Sequence, residues 1–217
     1  MNQPRVDIYN FPHKGLRNLL SQVSFAAGNT DLSNQQALDE LKTKTRELVV
    51  LLNLHRQSEE EDLLPTLEAK LPGSTQDNVE EHELLEKTVD QIDHLVKKLT
   101  LGASPAQGVQ FSSMLNGFHA KYLDHMAMEE SKMNPLIWKH FADEELMGIH
   151  GKIMATLAPE QIVLWFKYIV PALNPMERNI ILSGFKTNAQ KEFVDQVLKV
   201  IREEMPASSF ARMVASL

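Results

Sequence analysis

Apolar residues recur along the chain at intervals of three and four, in long runs. Leu16, Leu19, Leu20 and Val23 keep this spacing, and the 3.6-residue period predicts a helix from about Pro12 to Ala27, closed by Gly28-Asn29. Residues 1–11 read as an irregular lead-in. Leu38, Leu41, Leu48, Leu51 and Leu52 mark a second, longer helix, opened by Asp31 or Ser33 as a cap. Pro65 lacks the N–H that would bond to Glu61, so the spacing predicts a kink there, or a restart as a short segment to Lys70. Leu71-Pro72-Gly73-Ser74 is a break. A third helix is predicted over about Thr75–Leu101, with Leu84, Leu85, Val89, Ile92, Leu95, Val96 and Leu99. After a turn at Gly102–Pro105, a fourth runs from about Ala106 towards Phe141, with Phe111, Leu115, Phe118, Tyr122 and Met126 on its apolar side. No stretch alternates as a strand does. Four long helices with short connections predict an all-α, up-down-up-down four-helix bundle over residues 1–142.

From about Asp143 the segments shorten: Glu144–Leu157, Pro159–Val170, Asn174–Lys186, Gln190–Glu204 and Pro206–Leu217. Residues 143–217 therefore read as a smaller C-terminal helical subdomain. Trp165, Phe166 and Tyr168 suit either a partner surface or a core, and core is the commoner role. A homodimer or a protein partner is the expected occupant of any face these helices present.

Composition narrows the classes. The 217 residues carry a net charge of −7 and are 43% hydrophobic. That charge argues against a general nucleic-acid binder, which needs a basic face. The absence of cysteine excludes disulfides, thiolate metal sites, cysteine-ligated iron–sulfur clusters and a cysteine nucleophile in this chain. Met1–Asn10 has no apolar run of the signal-peptide kind, and the longest apolar stretch, Leu48–Leu52, is too short for a membrane span. The expectation is a cytoplasmic protein.

The polar positions carry the chemistry. His55-x-x-x-Glu59-Glu60 followed by Pro65 is repeated as His125-x-x-x-Glu129-Glu130 followed by Pro135. Residues four apart share a helix face, so each copy aims an imidazole and a carboxylate at one spot. One such pair is weak: eight histidines give about one by chance, and four occur, with His82/Glu86 and His140/Glu144 as the others. The register is the stronger signal. His13 precedes His55 by 42 residues and His82 precedes His125 by 43. Each early histidine starts a helix and each late one ends the next. In an antiparallel bundle, His13, His55, Glu59, His82, His125 and Glu129 therefore fall at one end. His140 lies roughly 22 Å beyond His125 along the helix and His94 about 18 Å past His82, outside that site. His119 faces elsewhere. Glu86 is the best spare carboxylate, and Glu60 and Glu130 turn about 100° from their neighbours, as supporting or surface groups.

Imidazole and carboxylate donors suit iron, zinc or manganese, and the ligands alone do not choose among them. Glu59 and Glu129 are natural bridges between two ions, with His13 and His55 on one and His82 and His125 on the other. Open positions on a non-haem iron pair would admit O2, NO or peroxide.

At these residues the sequence resembles the hemerythrin-like, or HHE cation-binding, family, over about residues 5–142. The resemblance implies a four-helix bundle with two iron ions, a non-haem di-iron centre, held by His13, His55, Glu59, His82, His125 and Glu129. Oxygen-carrying hemerythrins place two histidines one turn apart on the third helix and an Asp five residues after the last His. Here Glu86 follows His82 by one turn, and Glu129 follows His125 by four. The chain is thus more similar to the iron- and oxygen-sensing or NO-responsive branches. That implies binding or sensing of O2, NO or iron. The alternative is a di-iron enzyme acting on NO or peroxide or in iron–sulfur cluster repair. Repair proteins often carry an N-terminal cysteine-bearing segment, and the absence of Cys here counts against that reading without excluding it.

Overall fold

Helix α1, Asn10–Asn29, starts two residues before Pro12, and its residues Leu16, Leu19, Leu20 and Val23 are fully buried. The chain is described over residues 5–216 by a computed structural model. The early lead-in at residues 1–4 and the final Leu217 lie outside the described residues. Helix α2, Gln35–Ser58, is capped by Asn34, whose side chain accepts from the Ala37 N–H, rather than by Asp31 or Ser33. Asp31 instead orders the preceding turn by accepting from Ser33. Helix α3 is Leu64–Lys70, α4 is Gln76–Lys98, α5 is Pro105–Met128 and α6 is Asn134–His140. A capping box between Ser104 and Gln107 opens α5. No strand occurs among the described residues.

The two prolines act differently from a simple kink. Between α2 and α3 the backbone widens into a π turn, Glu59–Leu63, and between α5 and α6 into a second, Glu129–Met133. The Leu64 N–H reaches the Glu59 carbonyl and the Asn134 N–H the Glu129 carbonyl, five residues back. Pro65 and Pro135 follow at once. A proline ring crowds the carbonyl four residues earlier in a regular α-helix and offers it no N–H. The wider turn accommodates both faults. The fourth helix is therefore not continuous to Phe141, as its apolar spacing suggested.

By Cα packing the chain forms two units, with the division inside α1. The first comprises residues 5–9 and Leu19–Thr156. In it, the Gln22 side chain accepts from Lys44 on α2, and Ser24 hydrogen-bonds His119 on α5. Helix α4 packs against both α2 and α5. These contacts close a four-helix bundle. On α2 the buried stripe runs Leu38, Leu41, Thr45, Leu48, Leu52 and His55; on α5 it runs Phe111, Leu115, Phe118, Tyr122 and His125. Below the π turns, Tyr9, Leu63, Leu67, Met133, Ile137 and Phe141 form a second apolar cluster. Helix α7, Asp143–Thr156, adds Leu146 and Ile149 to it.

The second unit comprises Asn10–Asn18 and residues from Leu157 onward. It contains α8, Pro159–Ala172; α9, Pro175–Asn188; α10, Lys191–Glu204; and α11, Ala207–Ala215. Trp165, Phe166 and Tyr168 are buried, so they are core rather than surface. Gly15 lets α1 approach α8: a Cβ there would sit 2.7 Å from Ile169 Cγ1 and 3.3 Å from its Cα. Among the described residues no single helix is long and apolar enough to cross a membrane.

Candidate metal centre

The ligand candidates occupy core positions, where the helical stripe calls for apolar residues. His55 ends the α2 stripe, His82 lies on the buried face of α4, and His125 ends the α5 stripe. Glu59 and Glu129 are the first residues of the two π turns. All five are buried, with Glu129 wholly so. Burying two carboxylates is costly unless cations or metal ions compensate. His13 on α1 is likewise fully buried, within the Asn10–Asn18 segment of the second unit.

In each repeat the i, i+4 pair meets as the helix geometry requires. His55 Nε2 lies 3.3 Å from Glu59 Oε1, and His125 Nε2 lies 3.1 Å from Glu129 Oε1. His82 joins the halves: its Nε2 is 3.1 Å from Glu59 Oε2 and 3.6 Å from Glu129 Oε1. Donor atoms of Glu59, His82, His125 and Glu129 all lie within 4.8 Å of one another. For metal–ligand bonds of about 2.0–2.2 Å, neighbouring donors should sit about 3.0–3.5 Å apart. The separations fall in or next to that range, so the residues fit a bound cation.

The opposite ring edges are anchored. His82 Nδ1 is 3.1 Å from Glu60 Oε1, and His125 Nδ1 is 3.0 Å from Glu81 Oε2. A carboxylate on Nδ1 fixes the tautomer that presents Nε2 to a metal and makes the imidazole more basic. Glu60 is itself held by Arg56 Nη1 at 2.6 Å, and Arg56 Nη2 reaches Glu86 at 3.1 Å. So Glu60 is the supporting group its 100° offset suggested, and Glu86 is tied to a guanidinium rather than offered as a spare ligand. His140 and His119 are not among the converging donors, and His119 Nδ1 bonds Ser24 Oγ instead.

Four contributors were not singled out as site residues from sequence. Asn78 is 1% exposed, and its Nδ2 donates to Glu129 Oε1 at 3.0 Å. It lies one turn before His82, and a buried asparagine on an apolar stripe was a legible signal. Glu81 had none, because its partner is on another helix. The phenols of Tyr9 and Tyr122 are both buried, and burial followed by the Glu59 and Glu129 charges pushes both well above the ordinary tyrosine range. They stay neutral and acidic enough only to donate hydrogen bonds.

Without metal, the carboxylates hold protons on the imidazoles. Burial pushes the His82 imidazolium down, but Glu129 and Glu59 outweigh it and the group is pushed up to about 10. His125 is opposed by burial, raised by Glu129 and Glu81, and lowered again by His82, with a net upward shift.

Buried imidazoles converging on two carboxylates inside a helical bundle define a metal-binding site of the His/Glu class. The chain belongs to the hemerythrin HHE cation-binding domain family, whose model matches residues 5–137. It is a metal-binding, hemerythrin-like protein. It is also 21% identical, over 193 residues, to a BRUTUS-like zinc finger protein of Arabidopsis thaliana, covering 88% of this chain and 15% of that protein. It is 24% identical over 151 residues to F-box/LRR-repeat protein 5 of Xenopus laevis, covering 69% of this chain and 22% of that protein. The chain thus spans less than a quarter of the length of these relatives. No solved structure matches.

Proposed function

We propose that the chain holds two iron ions between His13, His55, Glu59, His82, His125 and Glu129, and uses them to bind or sense O2, NO or peroxide. The observation that supports this most is the donor arrangement around Glu59 and Glu129. Each carboxylate faces imidazoles, and His82 lies within reach of both. That is what a pair of bridging carboxylates needs. His13 is the counterpart of His82 in the repeat, and its full burial suits a ligand.

When bound, an iron pair supplies open coordination positions and one-electron redox chemistry. The protein's part is to keep the donors fixed. Glu60 and Glu81 hold the His82 and His125 rings by Nδ1, and Asn78 orients Glu129 by a hydrogen bond. The buried apolar cluster that includes Leu63, Leu67, Met133 and Ile137, on the chain just after Glu59 and Glu129, suits a site kept from water. The deep relation to much longer relatives suits a sensing module, with the change passed to other segments or to a partner docked on the C-terminal helices.

The test is metal analysis of purified protein, followed by optical spectra of the reduced form before and after oxygen. Two irons per chain and a charge-transfer band that vanishes in Glu59→Ala and Glu129→Ala are expected. Protein that takes up zinc and rejects iron under anaerobic loading would refute the proposal. Sustained turnover of NO or peroxide would move it to the enzyme reading.

A further inference from the structure

We infer that small uncharged molecules reach the metal centre through a cleft between α2 and α4, with Arg56 and Glu86 at its mouth and Leu85 in its apolar wall. The inference rests on the metal-centre reading for its purpose. A cavity of about 20 Å³ lies on the side of the site where His82 sits. About 10–15 Å³ suffices for one water-sized molecule, so it accommodates one such guest. Its inner end is formed by His82 and Tyr122, which are 3% and 5% exposed. Leu52, Leu85 and Val89 supply apolar sides. At the outer end the side chains of Arg56 and Glu86 are 29% and 45% exposed, and they pair with each other.

Chemistry selects the guest. The Arg56 charge is balanced by Glu60 and Glu86, and Glu60 is already engaged with His82. No free carboxylate therefore offers an inbound cation a stepping stone, and apolar sides disfavour ions of either sign. Uncharged species of one or two heavy atoms, such as water, O2 and NO, match both size and polarity. The same Arg56 links the mouth, through Glu60, to the His82 ring.

The experiment compares wild type with Leu85→Trp, whose larger ring fills the cleft, and Leu85→Met, which conserves volume. In metal-free protein, dissolved oxygen should broaden the NMR methyl signals of Leu52, Leu85 and Val89 more than that of Leu51, which is fully buried away from the cleft. Leu85→Trp should abolish the difference at Leu52 and Val89, while Leu85→Met keeps it. In iron-loaded protein, NO association should slow at least about ten-fold in Leu85→Trp, as expected for a closed route, with iron content unchanged. Equal broadening of Leu51 and Leu52, or an unchanged NO rate in Leu85→Trp, would overturn the route. Selective broadening in a protein that rejects iron would support the cleft and sink only the iron reading.

Discussion

Removal of the Glu81 carboxylate isolates what an anchoring residue does, because Glu81 touches the site through one bond. Its Oε2 holds His125 Nδ1 at 3.0 Å, while its side chain is 48% exposed. Losing such a partner lowers metal affinity by about 10- to 100-fold. At about 1.4 kcal/mol per decade that is about 1.4–2.7 kcal/mol. Exposure screens the carboxylate, so Glu81→Ala should fall near the ten-fold end. Glu60→Ala should cost more, since Glu60 is less exposed and is gripped by Arg56. Competition titration of Zn(II) or Co(II) against a chromophoric chelator measures both. Glu81→Gln retains an acceptor oxygen and should recover most of the loss. Thermal unfolding of the metal-free variants should barely change, because the half-exposed Glu81 carboxylate is screened by solvent. Affinity in Glu81→Ala within about two-fold of wild type would refute the anchoring argument. A large drop in metal-free stability would show a structural role instead.

Other outcomes follow from the same geometry. Asn78→Ala removes a buried donor from a carboxylate, which should destabilise the metal-free protein by about 1.5–3 kcal/mol in denaturant titrations; an unchanged midpoint would show that Glu129 is satisfied otherwise. The raised His82 value stabilises the metal-free fold fully below about 6.5, and that contribution fades as pH rises through about 10. A metal must displace this proton, so between those limits affinity should climb by about one decade per pH unit for each proton released. Calorimetry in buffers of different ionisation enthalpy counts the protons, and a pH-independent affinity would contradict the shift. Gly15→Ala should lower the melting temperature: overpacking against Ile169 costs about 1–3 kcal/mol, against about 1 kcal/mol gained in helix propensity. A stabilised variant would mean that Ile169 yields easily.

The helices and their order were legible because helical periodicity is local. A stripe such as Phe111, Leu115, Phe118, Tyr122 needs no partner to be recognised, and it came out buried. The duplicated His-x-x-x-Glu spacing, with His13 and His82 at matching distances upstream, singled out His55, His82 and His125 from sequence alone. Chain-local rules also placed a kink or restart at Pro65, whereas the fourth helix was expected to run on through Pro135. They did not say that the break would widen the turn rather than bend it, because that depends on what packs against both sides. Leu63, Leu67, Met133 and Ile137 are buried in one cluster across the two π turns.

What the sequence determined alone is the set of polar groups that must be buried together: His-x-x-x-Glu in two copies, each one turn deep on a helix. Its repeats are fixed by backbone geometry, which acts within a few residues. What only the tertiary structure decided is which helix faces which. That choice gave Glu81 to His125 and Glu60 to His82, set His82 between both carboxylates, and brought Arg56 against Glu86 at the rim. These pairings join residues as far apart in the chain as His82 and Glu129, and no local periodicity reaches that far. They follow from the packing of one whole helix against another.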